Sequence, residues 1–92
     1  MVEKVVVVTN RLGLHARAAA QLVSAANRFQ SQVRIERLDK SAAADAKSIL
    51  SVLMLAASRG TELKLTADGT DENEAMKALT GLFIEGFGEL SP

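Results

Sequence analysis

The stretch VEKVVVVTNRLGLHARAAAQLVSAAN, residues 2–27, decides the fold because the spacing of its apolar residues changes halfway along. Residues 2–9 are rich in β-branched side chains, and their unbroken valines predict a strand in the interior of a sheet. The run stops at Asn10, and Gly13 lets the chain turn. From residue 16 to 27 the spacing becomes helical, with one apolar face made by Ala19, Leu22, Val23 and Ala26.

The rest of the chain continues this alternation of strands and helices. It predicts half-buried strands at 31–38 and 61–67, a weak strand within 39–45, and a helix over 46–58 that ends before Gly60. A last helix starts at Thr70 or Asp71 as N-cap, with a buried stripe made by Ala75, Met76, Leu79, Leu82 and Phe83. The order is βαββαβα, which indicates an α+β fold with helices on one face of a mostly antiparallel sheet.

Composition limits the classes of function. The chain has 92 residues, so we expect a single domain spanning 1–92. Its 11 basic and 11 acidic side chains create no field for nucleic acid or an anionic membrane, and the valine run is too short to span a bilayer. The lack of cysteine suits a reducing compartment. We therefore expect a monomeric cytoplasmic protein without membrane insertion.

His15, the single histidine, falls where the first loop meets the first helix. The unpaired N–H groups and the dipole at a helix start attract anions and favour the neutral imidazole, whose free nitrogen is a nucleophile. Arg17 adds a permanent cation with a donor fork suited to phosphate oxygens. These residues could accept and hold a phosphoryl group, although the same pattern also fits an ordinary N-cap beside a solvated arginine.

Other chemistries find less support in the sequence. A metal site would need further histidines or cysteines, and although a purely carboxylate site stays open, no ligand spacing indicates one. No serine lies in a nucleophile-elbow sequence, and the glycines lack the spacing of the phosphate-loop motifs. The chain has three phenylalanines and no tyrosine or tryptophan, so it has few aromatic side chains on which nucleic-acid bases could stack. We expect no metal, no cofactor and no nucleic-acid partner.

Four stretches together resemble a known family. GLHARAAA at 13–20 is similar to the active-site signature of the HPr family, the histidine-containing phosphocarriers of the bacterial phosphoenolpyruvate-dependent sugar phosphotransferase system. AKSIL at 46–50, SRGTELKLTADG at 58–69 and DENEAMKAL at 71–79 resemble its regulatory serine region, last strand and last helix. The resemblance covers residues 2 to 89.

The resemblance implies an open-faced β-sandwich, a four-stranded antiparallel sheet covered on one face by three helices. It implies that enzyme I phosphorylates His15 on Nδ1 and that His15 passes the group to a histidine of IIA domains. Arg17 matches the family arginine that contacts the phosphoryl group, with backbone N–H groups of Ala16 and Arg17 completing the cradle. The protein would then be a carrier and a substrate of enzyme I, not an enzyme.

The resemblance also implies a regulatory serine and a docking surface. Ser48 matches the serine that HPr kinase/phosphorylase modifies in some bacteria. Leu50 and Leu53 match the docking patch beside the histidine, and we expect a rim made by Arg17, Gln21 and Lys47. Three alternatives stay open: a regulatory HPr in a nitrogen-type phosphotransfer chain, an interaction module that uses the Leu50 and Leu53 surface with His15 incidental, and a small hydrolase with His15 as general base.

Overall fold

Four antiparallel strands form one sheet, and three α-helices lie against one of its faces. The computed structural model describes residues 1–89. In chain order the elements are β1 Val2–Val7, α1 Ala16–Ala26, β2 Gln32–Arg37, β3 Ala43–Asp45, α2 Ile49–Leu53, β4 Glu62–Asp68, α3 Glu72–Ile84 and a 3-10 turn Gly86–Gly88. The predicted βαββαβα order and the α+β class are confirmed.

The position of β1 differs from the prediction. The strand order is β1-β4-β2-β3, so β1 lies at an edge of the sheet and not in its interior. Its valines alternate, because Val6 and Val8 point into the core while Val5 and Val7 are exposed on the open face. A run of identical apolar residues does not reveal which strand faces are covered, and here only one face is.

β4 occupies the centre of the sheet and behaves as its sequence predicts. Leu63 and Leu65 are fully buried against the helices. Lys64 lies between them on the open face, where its ammonium group is 3.4 Å from Glu3 and 3.6 Å from Glu36. The alternation thus separates a core face from a charged face.

α2 is much shorter than the predicted helix over 46–58. Before it, the backbone N–H of Ala46 still donates to the Val33 carbonyl at 3.0 Å, which extends the β2–β3 pairing. Ser48 is the N-cap, and its hydroxyl accepts from the backbone N–H of Ser51 at 3.3 Å. After it, Ala56 adopts a left-handed conformation with φ of 51°. Sheet pairing at one end and this turn at the other leave only five helical residues.

The shortened helix changes which side chains face the core. Val52 and Leu55 are buried, whereas Ile49 and Ala56, which a long regular helix would place on the same face as Val52, are exposed. Ala56 departs from that face because the chain leaves the helix after Leu53, so positions beyond it no longer follow a period of 3.6. Ile49 is the first residue of the helix.

α1 and α2 run side by side in opposite directions. At one end the Asn27 side chain donates to the Lys47 carbonyl at 3.3 Å. At the other end the Leu14 backbone N–H donates to the Ala57 carbonyl at 2.9 Å. With 11 residues, α1 is about 15 Å long at 1.5 Å per residue. His15 and Ser48, the two N-caps, therefore lie toward opposite ends of this pair.

α3 begins after Asp71, one of the two predicted caps, but the Asp71 side chain does not cap the helix. Its carboxylate instead accepts from the backbone N–H groups of Gln30 and Ser31, both at 2.9 Å, at the entry to β2. Hydrogen bonds from Ser31 and Gln30 lower the pKa of Asp71. Of the predicted buried stripe only Leu82 is half-buried and the rest is buried.

Candidate functional site

The loop from β1 to α1 is held by Asn10, which is buried. Its side-chain amide donates to the Gly13 carbonyl at 2.8 Å and closes the turn. Gly13 has φ of 67°, and a Cβ there would lie 2.6 Å from the Ala57 carbonyl oxygen. Only glycine fits this close approach without displacing the connection between α2 and β4. The loop therefore delivers His15 to the start of α1 in a fixed position.

His15 is the N-cap of α1, with extended backbone angles of φ −75° and ψ −178°. Its carbonyl accepts the first helical hydrogen bond, from the Ala19 N–H at 2.8 Å. The ring nitrogen Nδ1 faces the helix and accepts from the backbone N–H of Arg17 at 3.4 Å. Nδ1 thus lies beside the backbone N–H of Arg17, one of the first-turn groups for which the helix itself has no carbonyl partner.

The second ring nitrogen of His15 has a partner of its own. Nε2 forms a hydrogen bond with the carboxylate of Glu89, whose other oxygen accepts from the Asn10 amide at 3.1 Å. Hydrogen bonds from Asn10 and His15, together with the charge of Arg17, lower the pKa of Glu89. A carboxylate in this position favours the ring form in which Nε2 carries the proton and Nδ1 is the unprotonated nitrogen that accepts from Arg17.

A buried aromatic anchors the segment that brings Glu89 back to the site. Phe87 packs edge-on against Phe83 with 5.0 Å between ring centroids, in a backbone conformation with φ of 58°. The Thr9 hydroxyl donates to the Phe83 carbonyl at 3.2 Å, which ties the end of α3 to the β1–α1 loop. Sequence reasoning missed Glu89 and Asn10. A signal exists in GFGE at 86–89, where two glycines flank an apolar anchor before a carboxylate.

Arg17 is exposed on the first turn of α1, and its charge is one of the causes that lower the pKa of Glu89. The exposed guanidinium is available to an incoming anion, while the backbone N–H of Arg17 donates to Nδ1. The site thus combines a nucleophilic ring nitrogen, a backbone donor at a helix start and one permanent cation. Such a set can take an anionic group onto Nδ1 and bind its oxygens.

An exposed apolar surface lies along α2. Its members are Ile49, Leu50, Leu53 and Met54, which we call the α2 patch, and Leu50 and Leu53 are 67% and 37% exposed. Contiguous apolar surface of this kind commonly marks an interaction site.

Arg37, which sequence reasoning did not identify, fixes the end of α2. Its guanidinium donates to the carbonyls of Leu55 and Ala56 at 3.0 and 3.2 Å, where a helix end attracts cations. Asp39 accepts from the same guanidinium at 3.1 Å, and Arg37 and Ser41 hold the pKa of Asp39 well below its usual range. Arg37 thereby ties the turn after α2 to the end of β2.

The remaining predicted site residues are distributed along the α1–α2 pair. Gln21 is half-buried and stands one turn after Arg17 on α1. Lys47 donates from its ammonium group to the Phe29 carbonyl at 2.7 Å, at the end of the pair distant from His15. Ser48 lies next to Lys47. Arg17 thus shares an end with His15, Gln21 lies at the middle of α1, and Lys47 and Ser48 lie at the opposite end.

Residues 1–89 contain no group of three or more His, Cys, Asp and Glu side chains placed to hold a metal ion. Their helices are all too short or too polar to cross a membrane.

The chain is similar to proteins of one family. The model for the PTS HPr component phosphorylation site matches residues 2–85. The chain is 47% identical to the phosphocarrier protein HPr of Xylella fastidiosa strain 9a5c over 97% of this chain and 98% of that protein. It is 48% identical to the HPr of Pseudomonas aeruginosa over 91% of this chain and 92% of the other.

Solved structures agree with these sequence relatives. The crystal structure of HPr-C-His from Thermoanaerobacter tengcongensis superposes with a TM-score of 0.92 at 43% identity, over 99% of this chain and all of the other. HPr from Bacillus anthracis gives a TM-score of 0.83 at 39% identity, covering 89% and 95% of the two chains. The resemblance in GLHARAAA and the three supporting stretches is thereby confirmed, and the chain belongs to the HPr family, the phosphocarrier proteins of the phosphotransferase system.

Proposed function

We propose that this protein accepts a phosphoryl group on Nδ1 of His15 from phosphorylated enzyme I and passes it to a histidine of IIA domains. The observation that carries the proposal is the placement of Nδ1, which faces the first turn of α1 and the backbone N–H of Arg17. In the transfer, the Nδ1 lone pair forms the new N–P bond. The N–P bond of phosphorylated enzyme I breaks, and the nitrogen of enzyme I keeps its electron pair.

The modest strength of this anion site suits a carrier. His15 is 24% exposed in its side chain, so two different partners can reach it in turn. Arg17 is the one arginine at the first turn of α1, and the backbone donors complete a shallow cradle. Every 1.4 kcal/mol of additional binding to the phosphoryl group would slow its onward transfer up to about tenfold. A more enclosed site would hold the group too firmly to release it.

The proposal is tested by incubating the protein with a cognate enzyme I and phosphoenolpyruvate. We expect a phosphoadduct that is labile in acid and stable in alkali, as a phosphohistidine is and a phosphoserine is not. Addition of sugar-type or nitrogen-type IIA domains should then discharge it, and the faster acceptor identifies the branch that the protein serves. If no adduct forms with a cognate enzyme I, the carrier function is refuted.

Docking of both partners belongs to the same proposal. The α2 patch lies on the helix that packs beside α1, and α1 carries the polar side chains of Arg17 on its first turn and of Gln21 at its middle. An apolar centre with a polar rim is typical of protein interfaces. A partner seated on the patch would bring its own histidine to Nδ1, and enzyme I and IIA domains would use this surface in turn.

We also propose Ser48 as a regulatory phosphorylation site for HPr kinase/phosphorylase. As N-cap of α2 its side chain already serves as an acceptor for a backbone N–H, and a phosphate there adds about −2 charge next to Leu50. That charge opposes an acidic partner at the docking surface. Ser48→Asp should slow phosphorylation of His15 by enzyme I, whereas Ser48→Ala should not. Equal rates in the two variants would refute a regulatory role for charge at this position.

A further inference from the structure

We propose that Glu89 is a positioning residue for phosphoryl transfer. Its carboxylate accepts the proton of His15 Nε2, directs Nδ1 at the first turn of α1, and balances the positive charge that the ring acquires on Nδ1. The proposal rests on the proposed function, because it assigns a further residue to that same site.

Asn10 and Phe87 hold Glu89 in its contact with His15. Asn10 is 2% exposed and uses its amide group twice, on the Gly13 carbonyl and on Glu89. The turn that precedes Glu89 is anchored by Phe87, which is 2% exposed. Glu89 is therefore held against His15 by a buried amide and a buried ring. A solvated surface pair has no such support.

The chemistry of the transfer explains what the carboxylate contributes. The neutral ring has a proton on Nε2 and a lone pair on Nδ1. When Nδ1 forms a bond to phosphorus, the ring becomes a phosphoimidazolium, with the proton still on Nε2 and a formal positive charge shared across the ring. No proton has to leave for the atoms and charges to balance. Glu89 is already beside the nitrogen that carries this charge, so it stabilises the transition state and the product relative to the free ring.

The same geometry fixes which nitrogen reacts. With Nε2 protonated and hydrogen-bonded to Glu89, Nδ1 is the ring nitrogen that holds a lone pair, and a phosphoryl donor has to displace only the 3.4 Å hydrogen bond from the Arg17 N–H to reach it. Rotation of the ring by half a turn about the Cβ–Cγ bond would exchange Nδ1 with Cδ2 and Nε2 with Cε1, so carbon atoms would take the places of both nitrogens and both contacts of the imidazole would be lost. Glu89 thus acts through His15 and does not touch the transferred group.

The test compares Glu89→Ala, Glu89→Gln and the control Glu85→Gln. Glu85 is an exposed residue that ends α3 and carries the same charge a few positions earlier. Two quantities are measured: solvent exchange of the His15 Nε2 proton by NMR, and the kcat and KM for phosphorylation by enzyme I. The backbone amide spectrum of each variant checks that the fold is retained.

In Glu89→Ala we expect faster exchange of the Nε2 proton and a kcat about tenfold lower, the scale of a lost hydrogen-bond partner behind a functional imidazole. KM should stay unchanged because the α2 patch is intact. Glu89→Gln retains an acceptor but not the charge, so its kcat should lie between those of Glu89→Ala and the original protein. Glu85→Gln should match the original protein in all respects.

A kcat of Glu89→Ala within twofold of the original protein would overturn the proposal, whether or not proton exchange changes. So would a change confined to KM, because Glu89 would then act in docking. Failure of the proposed function looks different, since the original protein and all three variants would then form no adduct with enzyme I.

Discussion

Replacement of His15 by alanine is expected to abolish the acid-labile phosphoadduct while leaving the protein folded. The single nucleophilic nitrogen at the start of α1 is lost, and no second histidine exists to replace it. The cost to folding is small because the capping bond from Arg17 to Nδ1 is long, at 3.4 Å, and because Glu89 keeps its hydrogen bond from Asn10 when the imidazole is lost. We expect the free energy of unfolding to fall by about 1 kcal/mol or less, the lower range for loss of an N-cap.

Two measurements check this expectation. Phosphate incorporation from phosphoenolpyruvate through enzyme I reports the chemistry, and urea unfolding reports the stability. Ser48→Ala is the matched control, because it removes the side-chain acceptor at the N-cap of α2 and leaves His15 in place. An acid-labile adduct that persists in His15→Ala would show that another group accepts the phosphoryl group.

Introduction of glutamate at Leu53 should reduce phosphoryl transfer without touching the reacting nitrogen. Leu53 is 37% exposed in the α2 patch, where a partner would bury it. Burying an unpaired carboxylate in an interface costs enough to lower kcat/KM about 10- to 100-fold. Kinetics of phosphorylation by enzyme I and of discharge to a IIA domain provide the measurement, and both should decline.

Val5→Glu is the control for this charge change. Val5 is 51% exposed on the open face of the sheet, opposite the helices, and it pairs in register with Lys64. A glutamate there faces an ammonium group across the strands and should leave transfer unchanged. Equal losses in the two variants would mean that net charge, and not the α2 patch, governs the encounter. Normal transfer by Leu53→Glu would remove the patch from the docking surface.

The order of elements could be predicted from the sequence because apolar spacing is local. β4 shows this clearly, since Leu63 and Leu65 alternate with polar residues and the structure buries that face alone. The edge position of β1 could not be predicted, because four consecutive valines read the same whether one face or both faces are covered. The length of α2 could not be predicted either. The apolar run is long enough for a longer helix, but Ala46 pairs with the sheet and Ala56 adopts a left-handed conformation, and these two features end the helix on either side.

Some residues of the candidate site could be predicted from local sequence and others could not. His15 and Arg17 are two positions apart, so their shared place at a helix start follows from local sequence. Glu89 lies 74 positions beyond His15, and its contact depends on how α3 ends and on where Phe87 packs. A contact between segments so far apart in sequence produces no regular spacing of residues from which it could be predicted. Arg37 was missed for the same reason, because its acceptors lie 18 and 19 residues away on another element.

In the phosphorylated protein, Nδ1 of His15 should carry the phosphoryl group while Nε2 keeps its proton. The most direct measurement is a combined ³¹P and ¹⁵N NMR experiment on protein labelled with ¹⁵N-histidine and phosphorylated by enzyme I. The chain has a single histidine, so both ring signals can be assigned without ambiguity. We predict a phosphorus coupling to Nδ1 and a bound proton on Nε2. Phosphorus coupled to Nε2, or bonded to a serine oxygen with both ring nitrogens unchanged, would contradict the account.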